Sequence, residues 1–159
     1  MIEKTEFIWF DGKLVPWDQA QVHVLTHCLH YGTGVFEGIR AYRGANGTSS
    51  VFRLRDHMKR YLNSAKILGL RVPYDVDELC RAVLDTLTAN KLAEGYIRPL
   101  SFAGEGGVGV YPGDNPTRTI IAVWNWGAYL GAEALENGIR VKTSSFCRSH
   151  VNATMSKAK

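Results

Sequence analysis

The stretch from His23 to Tyr42, HVLTHCLHYGTGVFEGIRAY, constrains the fold more than any other part of the chain. From Gly34 onward, its residues alternate as they would along a β-strand, in which neighbouring side chains point to opposite faces of a sheet. The first face carries Val35, Glu37, Ile39 and Ala41, and the second carries Phe36, Gly38, Arg40 and Tyr42. Each face therefore presents a charged side chain, which a strand built only for packing would not need.

The rest of the chain predicts an antiparallel α+β domain, because hairpins come first, two helices follow and further strands come last. Asp11-Gly12 is a hairpin turn signal between two short strands. Helical spacing of apolar residues predicts one helix over 54–68, and Asp75 with Glu78 resembles a capping box that starts another. The other predicted strands cover 50–53, pairing with 35–42, and then 96–103, 119–126 and 138–146.

Composition excludes several classes of protein. The chain has 159 residues and 45% hydrophobic content, which suffices for a domain with a sizeable core. Its net charge is +4, but the basic residues are interleaved with acidic ones, so we expect no nucleic-acid partner. The apolar runs are strand-sized and the start lacks a secretory h-region, so we expect no membrane partner. Three widely separated cysteines indicate a reducing, cytoplasmic location.

The motif HYGTGVFEGIRAY resembles the N-terminal signature of the class IV (fold type IV) pyridoxal-phosphate aminotransferases, most closely the branched-chain amino acid aminotransferases. Further pieces follow in the same order along the chain, namely RLRDHMKRYLNSAKILG, YIRPLSF, WNWGAYLGAEALENGIRVKTSSF and MSKAK. The resemblance implies a small N-terminal domain over 1–126, an interdomain linker over 127–137, and the beginning of a larger α/β cofactor-binding domain over 138–159. The chain would then be the N-terminal part of such an enzyme.

The activity implied by this resemblance is transfer of an amino group between leucine, isoleucine or valine and 2-oxoglutarate, in branched-chain amino acid biosynthesis. The cofactor would be pyridoxal 5'-phosphate, and the assembly a homodimer or larger homo-oligomer. Two alternatives within the fold are a D-amino acid aminotransferase and an aminodeoxychorismate lyase, and HYGTGVFEGIRAY together with YIRP disfavours both. A non-catalytic binding domain is a third alternative, since the small domain alone lacks half of such a site.

Lys159 is the predicted catalytic residue. A lysine amine can form a Schiff base with a carbonyl cofactor, and the resemblance assigns this role to the lysine of an Ala-Lys pair, here Ala158-Lys159. Lys157 is the rival. The resemblance also assigns the cofactor phosphate to Arg60, whose planar fork of donors suits that anion. Without the resemblance, Arg60 would be interpreted as part of a solvated helix face.

The resemblance also implies a set of residues that bind the substrate. Tyr96 and Arg98 share one face of a strand, and a buried arginine there is costly unless it meets an anion. An ion pair within the protein is the alternative for Arg98. Val108 and Val110 resemble residues that reach the pocket of a neighbouring subunit. The full predicted set is Tyr31, Phe36, Arg40, Tyr96, Arg98, Val110 and Tyr129.

Three histidines, His23, His27 and His30, are spaced four and three residues apart. On a helix they would share a face and could bind zinc. The segment VHVLTH alternates instead, and glycines follow at once. We therefore expect hydrogen-bonded scaffold residues around the cofactor pocket and no metal site.

Overall fold

Two long antiparallel strands form the centre of the sheet in the computed structural model, which describes residues 2–127, 131–147, 149–150 and 152–159. These two strands, β6 and β7, pair from Tyr96 opposite Trp124 to Ala103 opposite Thr117. The strands are Phe7–Phe10 (β1), Lys13–Pro16 (β2), Gly34–Phe36 (β3), Ile39–Arg43 (β4), Ser49–Val51 (β5), Gly95–Ala103 (β6) and Thr117–Trp124 (β7). The helices are His27–Tyr31 (α1), Leu54–Ile67 (α2), Val76–Ala89 (α3) and Ala132–Asn137 (α4), with a 3-10 turn over Trp17–Gln19.

The described strands form one antiparallel sheet in the order β2-β1-β7-β6-β4-β5, and β3 pairs with β6 beside β4. The predicted hairpin at Asp11-Gly12 is confirmed, because Phe10 pairs with Lys13 and both turn residues have a positive φ. Such a turn matches the twist of its two strands.

Helices α2 and α3 cover one face of the sheet and form the core with it. Apolar residues predicted for α2 are buried, among them Met58 and Tyr61, and so are Leu79 and Val83 on α3. The predicted capping box at Asp75 is present: its side chain accepts hydrogen bonds from the N–H groups of Asp77 and Glu78, and the Glu78 carboxylate accepts one from the N–H of Asp75. This reciprocal cap fixes where α3 begins.

The predicted strand over 34–42 is interrupted. Pairing with β6 stops after Phe36 and resumes at Ile39, so Glu37 and Gly38 lie between two short strands. The predicted alternation nevertheless holds, since Glu37 is buried on the helix-covered face and Phe36 is exposed on the other. The interruption places a charged residue beneath α2, where partners from that helix can reach it.

Two other segments differ from the prediction. Residues 138–146 are exposed and form no strand, because a strand needs a neighbour to pair its backbone groups and the described part of the chain offers none there. The histidine segment begins the short helix α1, which ends at Gly32 in a left-handed conformation. The alternation in VHVLTH covers only six residues, which is too short to exclude a helical turn. Within the predicted linker, Ala132–Asn137 form the short helix α4.

None of the helices among the described residues is long and apolar enough to cross a bilayer.

Candidate active site

Lys159 lies beside the end of β3, next to Phe36. Its backbone N–H donates to Oγ of Ser64 on α2 over 3.1 Å, and its backbone carbonyl accepts from the N–H of Phe36 over 2.9 Å. Its amine lies 3.5 Å from Oε2 of Glu37 and 5.7 Å from the centroid of the Phe36 ring. The backbone is thus held on both sides, while the side chain is 40% exposed.

Glu37 is fully buried, and α2 supplies its partners. Nε and Nη2 of Arg60 donate to the two carboxylate oxygens over 2.5 and 2.7 Å, and Nδ1 of His57 lies 3.2 Å from Oε2. His57 and Arg60 reach the same carboxylate because residues three apart share a helix face. Burial by itself raises the pKa of Glu37, but the hydrogen bonds from Arg60 and His57, with the charges of Lys159 and Arg60, outweigh it and lower that pKa below its usual range.

Arg60 is held on one edge and accessible on the other. Its side chain is 53% exposed, and Nη1 donates no hydrogen bond to any described residue. The guanidinium lines a shallow cleft of about 270 Å³ together with Arg53, Asp56 and His57. A guanidinium fixed through two nitrogens and open at the third is suited to bind an anion from solvent.

A larger cleft of about 730 Å³ adjoins this one, because His57 lines both. Arg40 and Tyr96, which lie opposite each other on β4 and β6, form part of its wall, together with Gly38 and Trp126. Nη2 of Arg40 donates to the carbonyl of Trp126 over 2.7 Å. A Cβ on Gly38 would overlap the hydroxyl of Tyr96, so only glycine leaves that ring its place.

Arg98 lies between the aromatic rings of Phe36 and Tyr96, on the face of the sheet that α2 and α3 do not cover. Its guanidinium carbon is 4.6 Å from the Phe36 ring centroid and 5.2 Å from that of Tyr96, and Nη2 donates to the Tyr96 hydroxyl over 3.0 Å. Its Nε is buried without a hydrogen-bond partner among the described residues. An unsatisfied buried donor costs about 1–3 kcal/mol, which an acceptor on a bound molecule would relieve.

Val110 lies in a different region, the loop between β6 and β7, and Tyr31 at the end of α1 contacts that loop. The Tyr31 hydroxyl donates to the carbonyl of Val108 over 2.9 Å, and Nε2 of the buried His27 lies 2.8 Å from the carbonyl of Gly109. Val110 at the tip is 80% exposed. Within the described ranges, these contacts do not join the loop to Lys159 or Arg98. Tyr129 lies outside the described residues.

All three histidines of the N-terminal stretch hydrogen-bond as scaffold residues. His27 spans Thr33 and Gly109, Nε2 of His30 meets the carbonyl of Val24 over 2.9 Å, and Nδ1 of His23 accepts from the N–H of Leu25 over 3.2 Å. In the described parts of the chain, no group of three or more potential ligands could hold a metal ion.

Sequence reasoning gave no role to Glu37, His57 or Ser64, although Glu37 and His57 contact Arg60 and Ser64 contacts Lys159. A signal for Glu37 was present, since the alternation places it on the side that the next helix covers. Pairing that buried carboxylate with the basic positions of α2 would have found Arg60 and His57. No comparable signal identifies Ser64, because its partner is the backbone of a distant residue.

Known proteins resemble this chain over its whole length. The model of the family described as amino-transferase class IV matches residues 34–159. The branched-chain amino acid aminotransferase of Pseudomonas aeruginosa is 48% identical over 159 residues, which is all of this chain and 52% of the relative. The Escherichia coli enzyme of that name is 49% identical over 158 residues, 99% of this chain and 51% of the relative. The chain therefore spans about half the length of the curated relatives that it matches.

Solved structures give the same picture. A crystal structure of the Escherichia coli branched-chain amino acid aminotransferase superposes with a TM-score of 0.91 at 49% identity, covering 95% of this chain and 50% of that one. The T.th. branched-chain amino acid aminotransferase, complexed with N-(5'-phosphopyridoxyl)-L-glutamate, matches with a TM-score of 0.74 at 44% identity, over 77% of this chain and 41% of that one. The antiparallel α+β fold predicted from the sequence is thus confirmed.

Proposed function

This chain belongs to the class IV aminotransferase family, and we propose that it forms the lysine-bearing part of a pyridoxal-phosphate-dependent branched-chain amino acid aminotransferase. That enzyme would exchange the amino group between leucine, isoleucine or valine and 2-oxoglutarate. The observation that carries the proposal is that the Glu37 carboxylate contacts both the Lys159 amine and the half-exposed Arg60, while the same amine lies 5.7 Å from the Phe36 ring centroid. This arrangement joins a nucleophilic amine, an anion-binding group and an apolar surface.

The described residues fit pyridoxal 5'-phosphate on two counts. Lys159 offers an accessible amine that can bond to the cofactor carbonyl. Arg60 offers an open guanidinium edge for the phosphate in the cleft that His57 shares with the larger one. When bound, the cofactor acts as the sink for the electrons of the broken bond at the substrate α-carbon. The chain's similarity to a structure with a phosphopyridoxyl ligand supports this choice.

Lys159 would also move the proton of the reaction. Its amine accepts the proton from the substrate α-carbon as a general base and returns it as a general acid. The clamp from Ser64 and Phe36 on its backbone fixes where the side chain starts. That fixed origin limits the positions that the amine can sample.

One pocket must receive two unlike substrates in the proposed exchange. It would bind an aliphatic side chain in one half-reaction and a carboxylate side chain in the other. The rings of Phe36 and Tyr96 offer apolar surface to the first. Arg98, with its unsatisfied Nε, offers a cation to the second. Arg40 would line the cleft beside Tyr96. Tyr31 and Tyr129 would add ring surface for the substrate, and Val110 would reach the pocket of a neighbouring subunit.

The domain and cellular assignments are parts of the same proposal. Residues 1–126 form the small domain, 127–137 the linker and 138–159 the start of the larger domain. The exposed side chains of Val108 and Val110 at the loop tip suit a contact between copies in a homodimer or larger homo-oligomer. Cys28, Cys80 and Cys147 are free, in keeping with a cytoplasmic location.

The direct test uses the full-length protein with the cofactor. Leucine and 2-oxoglutarate should give glutamate, while Lys159→Ala abolishes this turnover and the matched change Lys157→Ala retains it. D-Alanine as the preferred amino donor, or pyruvate release from aminodeoxychorismate, would instead favour the other activities of this fold.

A further inference from the structure

Glu37 occupies a costly position for a carboxylate. Its side chain has no exposed surface, and moving an ion of this kind out of water costs several kcal/mol unless partners compensate. Arg60, His57 and Lys159 all lie within 3.5 Å of it. The catalytic steps described above do not use this carboxylate. The free-energy cost of burying it indicates that it has another role.

The contact with Arg60 is the most directional of the three. Two guanidinium nitrogens meet the two carboxylate oxygens in a fork-on-fork arrangement, which fixes both the position and the plane of the guanidinium. A side chain that is half exposed would otherwise lose up to about 2 kcal/mol of rotamer entropy when it binds a ligand. Glu37 removes that freedom before any ligand arrives.

We propose that Glu37 is a positioning residue for Arg60. It holds the guanidinium with its Nη1 edge towards the cleft that Arg60 lines with Arg53 and His57, and it thereby sets the protein's affinity for the cofactor phosphate. The inference rests on the proposed phosphate-binding role of Arg60. The buried Glu37 carboxylate would strengthen phosphate binding because it positions Arg60, although its own negative charge repels the phosphate.

The sign of the effect separates this role from simple electrostatics. Glu37 carries a negative charge close to the cleft, so Coulomb repulsion alone predicts that neutralising it would tighten phosphate binding. Loss of positioning predicts the reverse, because Arg60 would become free to turn away. Asp56 provides a matched control, since it lines the same cleft but its carboxylate pairs with Arg53 and forms no ion pair with Arg60 among the described residues.

The probe is inorganic phosphate, titrated by calorimetry into the full-length protein after removal of the cofactor. Arg60→Met should weaken phosphate binding by about 10- to 100-fold. Glu37→Gln should weaken it by about 5-fold or more, although it removes a negative charge. Asp56→Asn should leave it equal or tighter. In the double variant Glu37→Gln with Arg60→Met, affinity should fall no further than in Arg60→Met alone, because Glu37 acts through Arg60.

Glu37→Asp covers the possibility that Glu37→Gln does not fold. It keeps the charge but withdraws the carboxylate by one methylene, so positioning predicts weaker phosphate binding here too, whereas charge alone predicts no change. Equal or tighter binding in the folded Glu37 variants, while Arg60→Met weakens it, overturns the positioning role and leaves the proposed function intact. No effect of Arg60→Met overturns the phosphate role of Arg60, and the positioning role with it.

Discussion

The guanidinium of Arg98 lies 4.6 Å above the ring of Phe36, so a cation and an apolar surface occupy the same part of the site. Arg98 keeps one buried nitrogen without an acceptor among the described residues, although Nη2 donates to Tyr96. The pair can therefore serve an aliphatic side chain through the ring and a carboxylate through the unsatisfied donor.

Removing Arg98 should act unequally on the two substrates. Leucine needs no cation, so its half-reaction should change little in Arg98→Leu. Glutamate should lose about 2–4 kcal/mol, or roughly 30- to 1000-fold in specificity. Single-turnover rates measured separately for the two amino acids test this, with Arg71→Leu as an exposed-arginine control. Equal losses would mean that Arg98 supports the fold or the α-carboxylate common to both.

Lys159 should carry the cofactor. Borohydride reduction of the full-length holoprotein, followed by peptide mapping, should place the phosphopyridoxyl group on Lys159, because its clamped backbone brings the amine within 3.5 Å of Glu37, which also contacts Arg60. Lys157 is exposed and serves as the internal control. An adduct on Lys157, or none on the intact protein, would contradict the assignment.

A methyl group at Gly38 should disturb the substrate site. In Gly38→Ala the new Cβ would overlap the Tyr96 hydroxyl and force that ring away from Arg98, so turnover should fall with little loss of stability. Adding Tyr96→Phe should recover part of the loss caused by Gly38→Ala, because it removes the overlapping oxygen. Steady-state kinetics and thermal unfolding provide the readouts. Gly127→Ala should change neither, because the new Cβ would meet no described atom within 4 Å apart from its chain neighbours. A Gly38→Ala enzyme with unchanged kinetics would refute the steric argument.

The stability of the protein should depend on Glu37 above its pKa and lose that contribution in acid. Since the pKa of Glu37 is lowered in the folded state, the folded protein binds the Glu37 carboxyl proton less readily than the unfolded chain does. Glutamates in an unfolded chain have a pKa of about 4.3. The contribution is therefore present above that value and disappears as the pH falls through the lower, folded-state pKa.

Urea unfolding of the protein and of Glu37→Gln, compared from pH 7 to pH 3, tests this linkage. The difference in the free energy of unfolding between the two should shrink as the solution becomes more acidic. Asp85→Asn, which removes an exposed carboxylate that forms no ion pair among the described residues, controls for general acid effects. A difference that stays constant across the range would mean that Glu37 has no lowered pKa in the folded state.

Much of the fold was predictable because its signals are local. The apolar stripes of α2 and α3, the capping box at Asp75 and the Asp11-Gly12 turn each depend on neighbours within one turn or one strand pair. The alternation along β3 and β4 depends only on backbone geometry, and it placed Glu37 and Phe36 on the correct faces. The motifs of the family likewise survive as short strings of residues, and they identified Lys159 and Arg60 as candidates.

The sequence by itself therefore determined the antiparallel α+β class, the two long helices, the face on which each residue of 34–42 lies, and the family. Only the tertiary structure decided that Arg60 would be fixed by Glu37, that the Lys159 backbone would join Ser64 and Phe36, and that Tyr31 would hold the loop at Val108. It also left residues 138–146 without a strand. The physical reason is that a local pattern fixes which way a side chain points, whereas its partner depends on which distant segment packs against that face.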